Sequence, residues 1–399
     1  MLRFLPRNIG IWITAYAKQK LTRLAHRPSL ERPLHVLFCF VDHYEPRWDK
    51  PPREQEDARV QYWLNNYPVY ADGFTDSDGH KPKHSFFFPW DEYEAEHIEH
   101  LACLCEAGYG EIEIHLHHHD DSAEGFRQKM LDFKRVLHED HRGALPVDER
   151  GEPKYAFIHG NWCLNNSRPD GLWCGVDNES EILVETGCYV DMTMPSAPSD
   201  TQTRTINSVH YSGDYDGRPG CHDRGEPVSF NSPRKDKLML IQGPLLFNWA
   251  RRSMGIMPRI ENGEIDGDNP PRAERVPLWV KAGVCVEGKP DWVFVKIHTH
   301  GAPEANAAAV LGESGCAMHA ELARLYKDDP RCRLHYVSAR EMANIARAAE
   351  DGKTGDPNDY RDYELCVAPR FAQPGQRQPA APTQGAAPAP APATAVAGR

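Results

Sequence analysis

The sequence predicts an α/β fold, a sheet or barrel in which strands alternate with helices. Three observations predict it. Short, nearly all-apolar runs such as 34–41 and 292–297 read as strands covered on both faces. Amphipathic stretches of helical period lie between such runs. Four strands end in polar clusters: Asp42-His43, His115 to Asp121, His159-Gly160-Asn161-Trp162 and His298-Thr299-His300. Side chains at the C-terminal ends of parallel strands converge on one site in folds of this class.

Residues 1–33 carry Arg3, Arg7, Lys18, Lys20, Arg23, Arg27 and Arg32 against one acid, Glu31, interleaved with apolar residues such as Leu5, Ile9, Trp12 and Tyr16. A basic amphipathic helix of this kind suits an anionic membrane surface, contacted through residues 1–30. It suits equally a helix packed on the domain with its basic face in water. The strand 34–41 follows and runs into Asp42-His43-Tyr44-Glu45-Pro46; 49–80 reads as loop and short helix. A strand at 83–88 ends at Pro89, and 90–107 is a helix. The strand 111–116 delivers the histidine run, and 122–138 is a second amphipathic helix. Strand 155–159, helix 179–186 and strand 189–193 lead into 195–235. That stretch is rich in Pro, Ser, Asp and Gly and reads as a long functional loop that would shape specificity. Strands at 237–241, 292–297 and 333–337 and helices at 303–326 and 339–350 complete the domain, 34–350. A C-terminal extension spans 351–370. From Phe371 onward the Pro/Ala/Gln-rich tail lacks the apolar bulk for a core and should be disordered.

The 399 residues leave room for one large domain or two ordinary ones. A formal net charge of −12 argues against a nucleic-acid partner. The 11 cysteines contain no C-x-x-C pair, which points to reduced, buried thiols in a cytoplasmic protein and against a structural zinc knuckle. No secretory signal and no spanning apolar run is visible. The expected location is therefore cytoplasmic, or peripheral at the inner face of the membrane.

Imidazole with carboxylate is the usual donor set for zinc-like metals. Asp42, His115 and His119 could supply two imidazoles and one carboxylate. His115 and His119 share a face if the chain turns helical after the strand. His117, His118, Asp120 and Asp121 then become neighbours. A divalent metal, zinc first and nickel, cobalt or manganese as alternatives, would polarise a carbonyl and activate water. A further histidine would act as general acid. The competing reading is structural: lone strand-end histidines are commonly hydrogen-bonded core residues, and a three-histidine run can be a solvated turn.

The pattern resembles the polysaccharide deacetylase superfamily, also called the NodB homology domain or carbohydrate esterase family 4. The resemblance spans about 34–345 and implies a distorted (β/α) barrel that deacetylates N-acetylated sugars through a metal held by Asp, His and His. Cys39-Phe40-Val41-Asp42 is similar to the family's T-F-D-D: Asp42 matches the metal-binding aspartate, and Val41 stands where the catalytic base would be. His115-Leu116-His117-His118-His119 is similar to H-[ST]-x-x-H, without the hydroxyl residue. The strand 293–298 resembles the one ending in the catalytic histidine, here His298 with His300 as the near alternative. His159, Asn161 and Trp162 stand at the strand end of the third motif and would bind substrate. With Val41 at the base position, Asp42 with His43, Glu45 or Asp120 would take over that role. Trp48, Trp90 and Trp162 could stack on a sugar or belong to the core. The resemblance implies an acetylated sugar or polysaccharide precursor as substrate. Two other readings stand beside it: another metal-dependent C–N hydrolase on the same barrel, and a barrel that binds a glycan or partner without catalysis.

Overall fold

Alternation of apolar strands with helices builds the frame. In the computed structural model, residues 6–25, 32–141, 143–253 and 256–368 are described. The elements are α1 (Ile9–Ala25), β1 (Leu34–His43), α2 (Arg53–Ala71), β2 (His84–Pro89), α3 (Ala95–Glu106), β3 (Gly110–Leu116) and α4 (Ala123–Arg135), then β4 (Tyr155–His159), α5 (Glu179–Thr186), β5 (Cys188–Asp191), β6 (Val209–Tyr211) and β7 (Met239–Ile241). A hairpin, β8 (Leu246–Ser253) and β9 (Met257–Glu261), precedes β10 (Glu264–Ile265), α6 (Val276–Ala282) and β11 (Trp292–Thr299). The order closes with α7 (Glu304–Leu311), α8 (Glu313–Leu322), β12 (Cys332–Tyr336) and α9 (Ala339–Glu350).

The central sheet runs β10-β11-β1-β2-β3-β4-β5-β7-β6, mostly parallel, with β6 antiparallel to β7. β1 lies at its middle. One edge of β1 pairs along its length with β11; the other pairs with β12 near its start and with β2 near its end. No strand ladder among the described residues joins β6 to β10. Instead single bridges link His210 to Pro227 and Ser229 to Glu287, and Phe294 N–H donates to the Val284 carbonyl at 2.8 Å.

Strand alternation splits the core in two. Val36, Phe38 and Phe40 of β1 join Ile112 and Ile114 of β3 in the layer under the outer helices. Leu37, Cys39 and Val41 face the other way, with Ala156, Val190, Met239 and Phe294 around Met342, Ile345 and Ala346 of α9. Side chains from strands near both ends of the ladder thus share one cluster, so the sheet is strongly curled around α9. That helix is alanine-rich, which lets backbone approach backbone. Its start is fixed by a capping box between Ser338 and Glu341. Buried Lys296 of β11 donates to the carbonyls of Met192 (2.5 Å) and Met194 (2.6 Å), just past β5, reaching across the curl.

Three expectations are corrected. The stretch read as loop and short helix holds α2, 19 residues long. The long loop 195–235 contains β6 and packs many buried polar residues, among them Thr201, Gln202 and Asn207. The region after β7, where no element is expected from the sequence pattern, forms the β8–β9 hairpin, β10 and α6. At the N-terminus, Ile9 and Trp12 of α1 are buried against Ala197, Ile206 and Leu245, so its apolar face is covered by the domain. Residues 1–5 and 26–31 of the basic segment and the tail from 369 lie outside the described residues. Among the described residues no helix is long and apolar enough to cross a membrane.

Candidate metal centre

Strand parity decides which residues meet. On β1, even positions face the outer helices and odd positions face α9, so Asp42 turns outward while His43 and Glu45 turn inward. Asp42 is fully engaged there. Its Oδ2 accepts from His84 Nε2 at 2.8 Å and its Oδ1 from the Gly301 N–H at 2.6 Å. A Cβ at position 301 would stand 2.2 Å from Asp42 Oδ2, so only glycine allows this close approach. The expected ligand role of Asp42 is therefore corrected: it lies on the opposite face of β1 from Glu45 and anchors the turn that follows His300.

Glu45 is the hub of the inward cluster. Its Oε1 lies 3.2 Å from His115 Nε2 and 2.9 Å from His117 Nε2, and its Oε2 lies 2.8 Å from His300 Nδ1. The far nitrogens fix the tautomers. His115 Nδ1 stands 2.7 Å from the Ile158 carbonyl, which can only accept, and His117 Nδ1 stands 3.1 Å from Asp91 Oδ2. Both Nδ1 atoms thus carry a proton; burial opposes a second one on His117, but Asp91 and Glu45 raise its proton affinity well above the ordinary imidazole range, so its Nε2 donates to Glu45. The ligand atoms of Glu45, His115 and His117 lie within 4.8 Å of one another and could hold a metal ion, which would displace the His117 Nε2 proton. Two ligands of a tetrahedral zinc about 2.1 Å away stand ~3.4 Å apart, close to the spacings here. Glu45, His115 and His117 fit a divalent metal, with Asp91 and the Ile158 carbonyl orienting the rings as outer partners of metal-bound histidines do.

The surroundings are cationic and aromatic. The His43 ring packs 4.8 Å from His115 and 4.6 Å from His300. Burial, then His300 and His115, push His43 well below the ordinary imidazole range. Burial alone would raise Glu45, but His300, His115 and His117 outweigh it and hold the carboxylate well below its usual range. Burial also opposes a proton on His300, yet the Glu45 charge and hydrogen bond raise its affinity above normal. Buried His298, 6.2 Å from His43, is depressed by burial and by Lys296. Trp48 packs 4.9 Å from the His300 ring and Trp162 6.0 Å from it, forming two aromatic walls.

Of the residues predicted from sequence, the structure brings together Glu45, His115, His300, His298 and Trp162. It does not bring His119, which is exposed and accepts from the Trp173 N–H at 2.9 Å. The physical reason is that the run stays non-helical until α4 begins at Ala123, so period two places His115 with His117 instead of period four placing it with His119. His159 is also placed elsewhere: it turns to His118 and Glu179. Asn161 sits in a left-handed turn (φ 55°), and its carbonyl accepts from the Cys163 thiol at 3.0 Å. Trp90 stacks on Phe133 at 4.9 Å and belongs to the core. Sequence reasoning missed His117 and Asp91; strict alternation through 113, 115 and 117 was the signal for the first, and nothing local marked the second. No family model matches the chain, and no curated protein matches it significantly.

Proposed function

We propose that this protein is a metal-dependent hydrolase of the polysaccharide deacetylase kind, built on a distorted (β/α) barrel. Its substrate class is an N-acetylated sugar or polysaccharide precursor. The barrel reading is supported by the curl around α9, the Lys296 crossing and the single bridges that span the gap in the sheet. The hydrolase reading is carried by one observation: the Glu45 carboxylate and the Nε2 atoms of His115 and His117 converge at strand ends.

A divalent ion held there, zinc by donor preference, supplies Lewis-acid polarisation of a carbonyl and a lowered pKa for water. Glu45, His115 and His117 hold it. His300 carries a proton shared with Glu45 and stands between Trp48 and Trp162, so it is the group placed to protonate a leaving amine. His298 is kept neutral by burial and by Lys296, which makes it a weak base, so its part is a polar contact near His43 rather than proton acceptance. The tryptophan faces suit a sugar ring. Asp42 positions His300 through the Gly301 turn and touches no reacting atom.

A Glu-His-His donor set departs from the family's Asp-His-His, and this favours testing a second reading, hydrolysis of another C–N bond. The full chain is assayed for acetate and for ammonia release from N-acetylated oligosaccharides and small amides, together with elemental analysis. Acetate release, lost with one metal equivalent in His115→Ala, is the expected result. Ammonia without acetate selects the second reading. Equal metal content in wild type and His115→Ala overturns both.

A further inference from the structure

A second group of donors lies one residue along the same run. His118 Nε2 is 2.9 Å from His159 Nε2 and 2.9 Å from Glu179 Oε1, and His159 Nε2 is 3.3 Å from the same oxygen. Cys174 Sγ is 3.3 Å from Glu179 Oε2. All four side chains are buried, and their ligand atoms lie within 4.8 Å of one another. None of the four belongs to the Glu45 cluster.

The tautomers are again fixed from outside. His159 Nδ1 donates to the Gly160 carbonyl, and His118 Nδ1 faces Asp121 Oδ2 at 3.0 Å. The two Nε2 atoms therefore face each other and one carboxylate oxygen, Glu179 Oε1, at 2.9–3.3 Å. A proton on His118 could serve either His159 or Glu179 but not both, and a buried acceptor left unpaired costs about 1–3 kcal/mol. A single cation satisfies every lone pair at once.

We propose that His118, His159, Cys174 and Glu179 form a second, structural metal site that takes a zinc-like ion. Four protein donors without solvent access make a closed coordination shell, the pattern of structural rather than catalytic zinc. Binding releases the Cys174 thiol proton to water, leaving a thiolate on the ion. The four ligands come from the end of β3, the end of β4, the loop 164–178 and the first turn of α5, so the ion ties the loop and α5 to the paired ends of β3 and β4. The loop needs such a tie. Asn165, Asn166 and Trp173 all have positive φ, and Gly175 at φ 101° lets the backbone reach Asp121, where a Cβ would stand 2.6 Å from its nitrogen. The cysteine spacing argues against a zinc knuckle, and the proposed site is not one. Spacing reveals knuckles whose ligands are neighbours in sequence, not sites assembled from four segments.

The test is X-ray absorption at the zinc edge and elemental analysis on the full-length chain, with cobalt substitution as a parallel readout. The expected result is a sulfur neighbour in the wild-type zinc shell and a thiolate-to-cobalt charge-transfer band. Both should vanish in Cys174→Ser with about one metal equivalent, and both should persist in His115→Ala. Zinc bound by wild type without any sulfur neighbour overturns the proposal, and so does an unchanged sulfur signal in Cys174→Ser. If Cys174→Ser does not fold, the wild-type spectrum decides alone. Because the Glu45 cluster contains no sulfur, failure of the hydrolase reading leaves this signature untouched.

Discussion

Two donor clusters grow from one histidine run, and they differ in what surrounds them. The Glu45 cluster has three donors and reaches solvent through part-exposed His117 and His300, beside Trp48 and Trp162. The Glu179 cluster has four donors, every one buried, with Phe126 stacked on the His118 ring. The proposed roles thus separate on three differences: ligand count, solvent access and the thiol that only the closed cluster contains. Composition alone would place both in one undivided histidine patch.

Substitutions separate the two clusters. Glu45→Gln should have the largest effect, lowering hydrolysis by more than about 10²-fold while the sulfur signature of the closed cluster stays intact, because it removes the hub carboxylate. Steady-state kinetics alongside cobalt spectra check this; parallel loss of both would mean the clusters are one site. Asp91→Asn should weaken metal affinity at the open cluster by ~10–100-fold, read by competition with a chelator. Asp42→Asn removes a buried charge from His84 and Gly301 and should cost about 1.5–3 kcal/mol in a denaturant titration. A background pH effect lies outside both clusters. Buried His319 is pushed down to about 3 by burial, with its Nδ1 2.8 Å from the Tyr336 hydroxyl. Above about pH 6.5 both folded and unfolded chains hold it neutral; as pH falls toward 3 only the unfolded chain takes the proton. Stability should thus decline by at most about 1.4 kcal/mol per pH unit across that window, and His319→Leu should flatten the slope. His119→Ala should change neither activity nor metal content, and a measurable loss would restore the four-residue spacing that the structure discards.

Most strands were legible because burial on both faces leaves near-continuous apolar runs, as at 34–41 and 292–297. The helix α2 was not, because its inward face carries Glu56 and Arg59 beside Trp63 and Tyr67. Those charges are compensated by partners distant in sequence: Arg59 pairs with Glu304 at 3.0 Å and donates to the Pro46 carbonyl at 2.9 Å. No local pattern announces them. For the site, the strand ends that matter were visible, and Glu45, His115 and His300 were named from them. The partition was not visible. Whether Asp42 or Glu45 faces inward depends on the parity of β1, and whether His117 or His119 joins His115 depends on where the extended run ends.

His117 and His118 are consecutive, and each ring is gripped from both ends. Glu45 and Asp91 hold the first; Glu179 and Asp121 hold the second on the opposite side. Any twist of the chain that improves one set of contacts spoils the other, so the pair acts as a rotational lock on the end of β3. Deleting one residue between His115 and His118 would carry each ring to the wrong side and exchange the ligands of the two clusters. The histidine run is thus a phase-sensitive element, and its alignment is set jointly by both clusters.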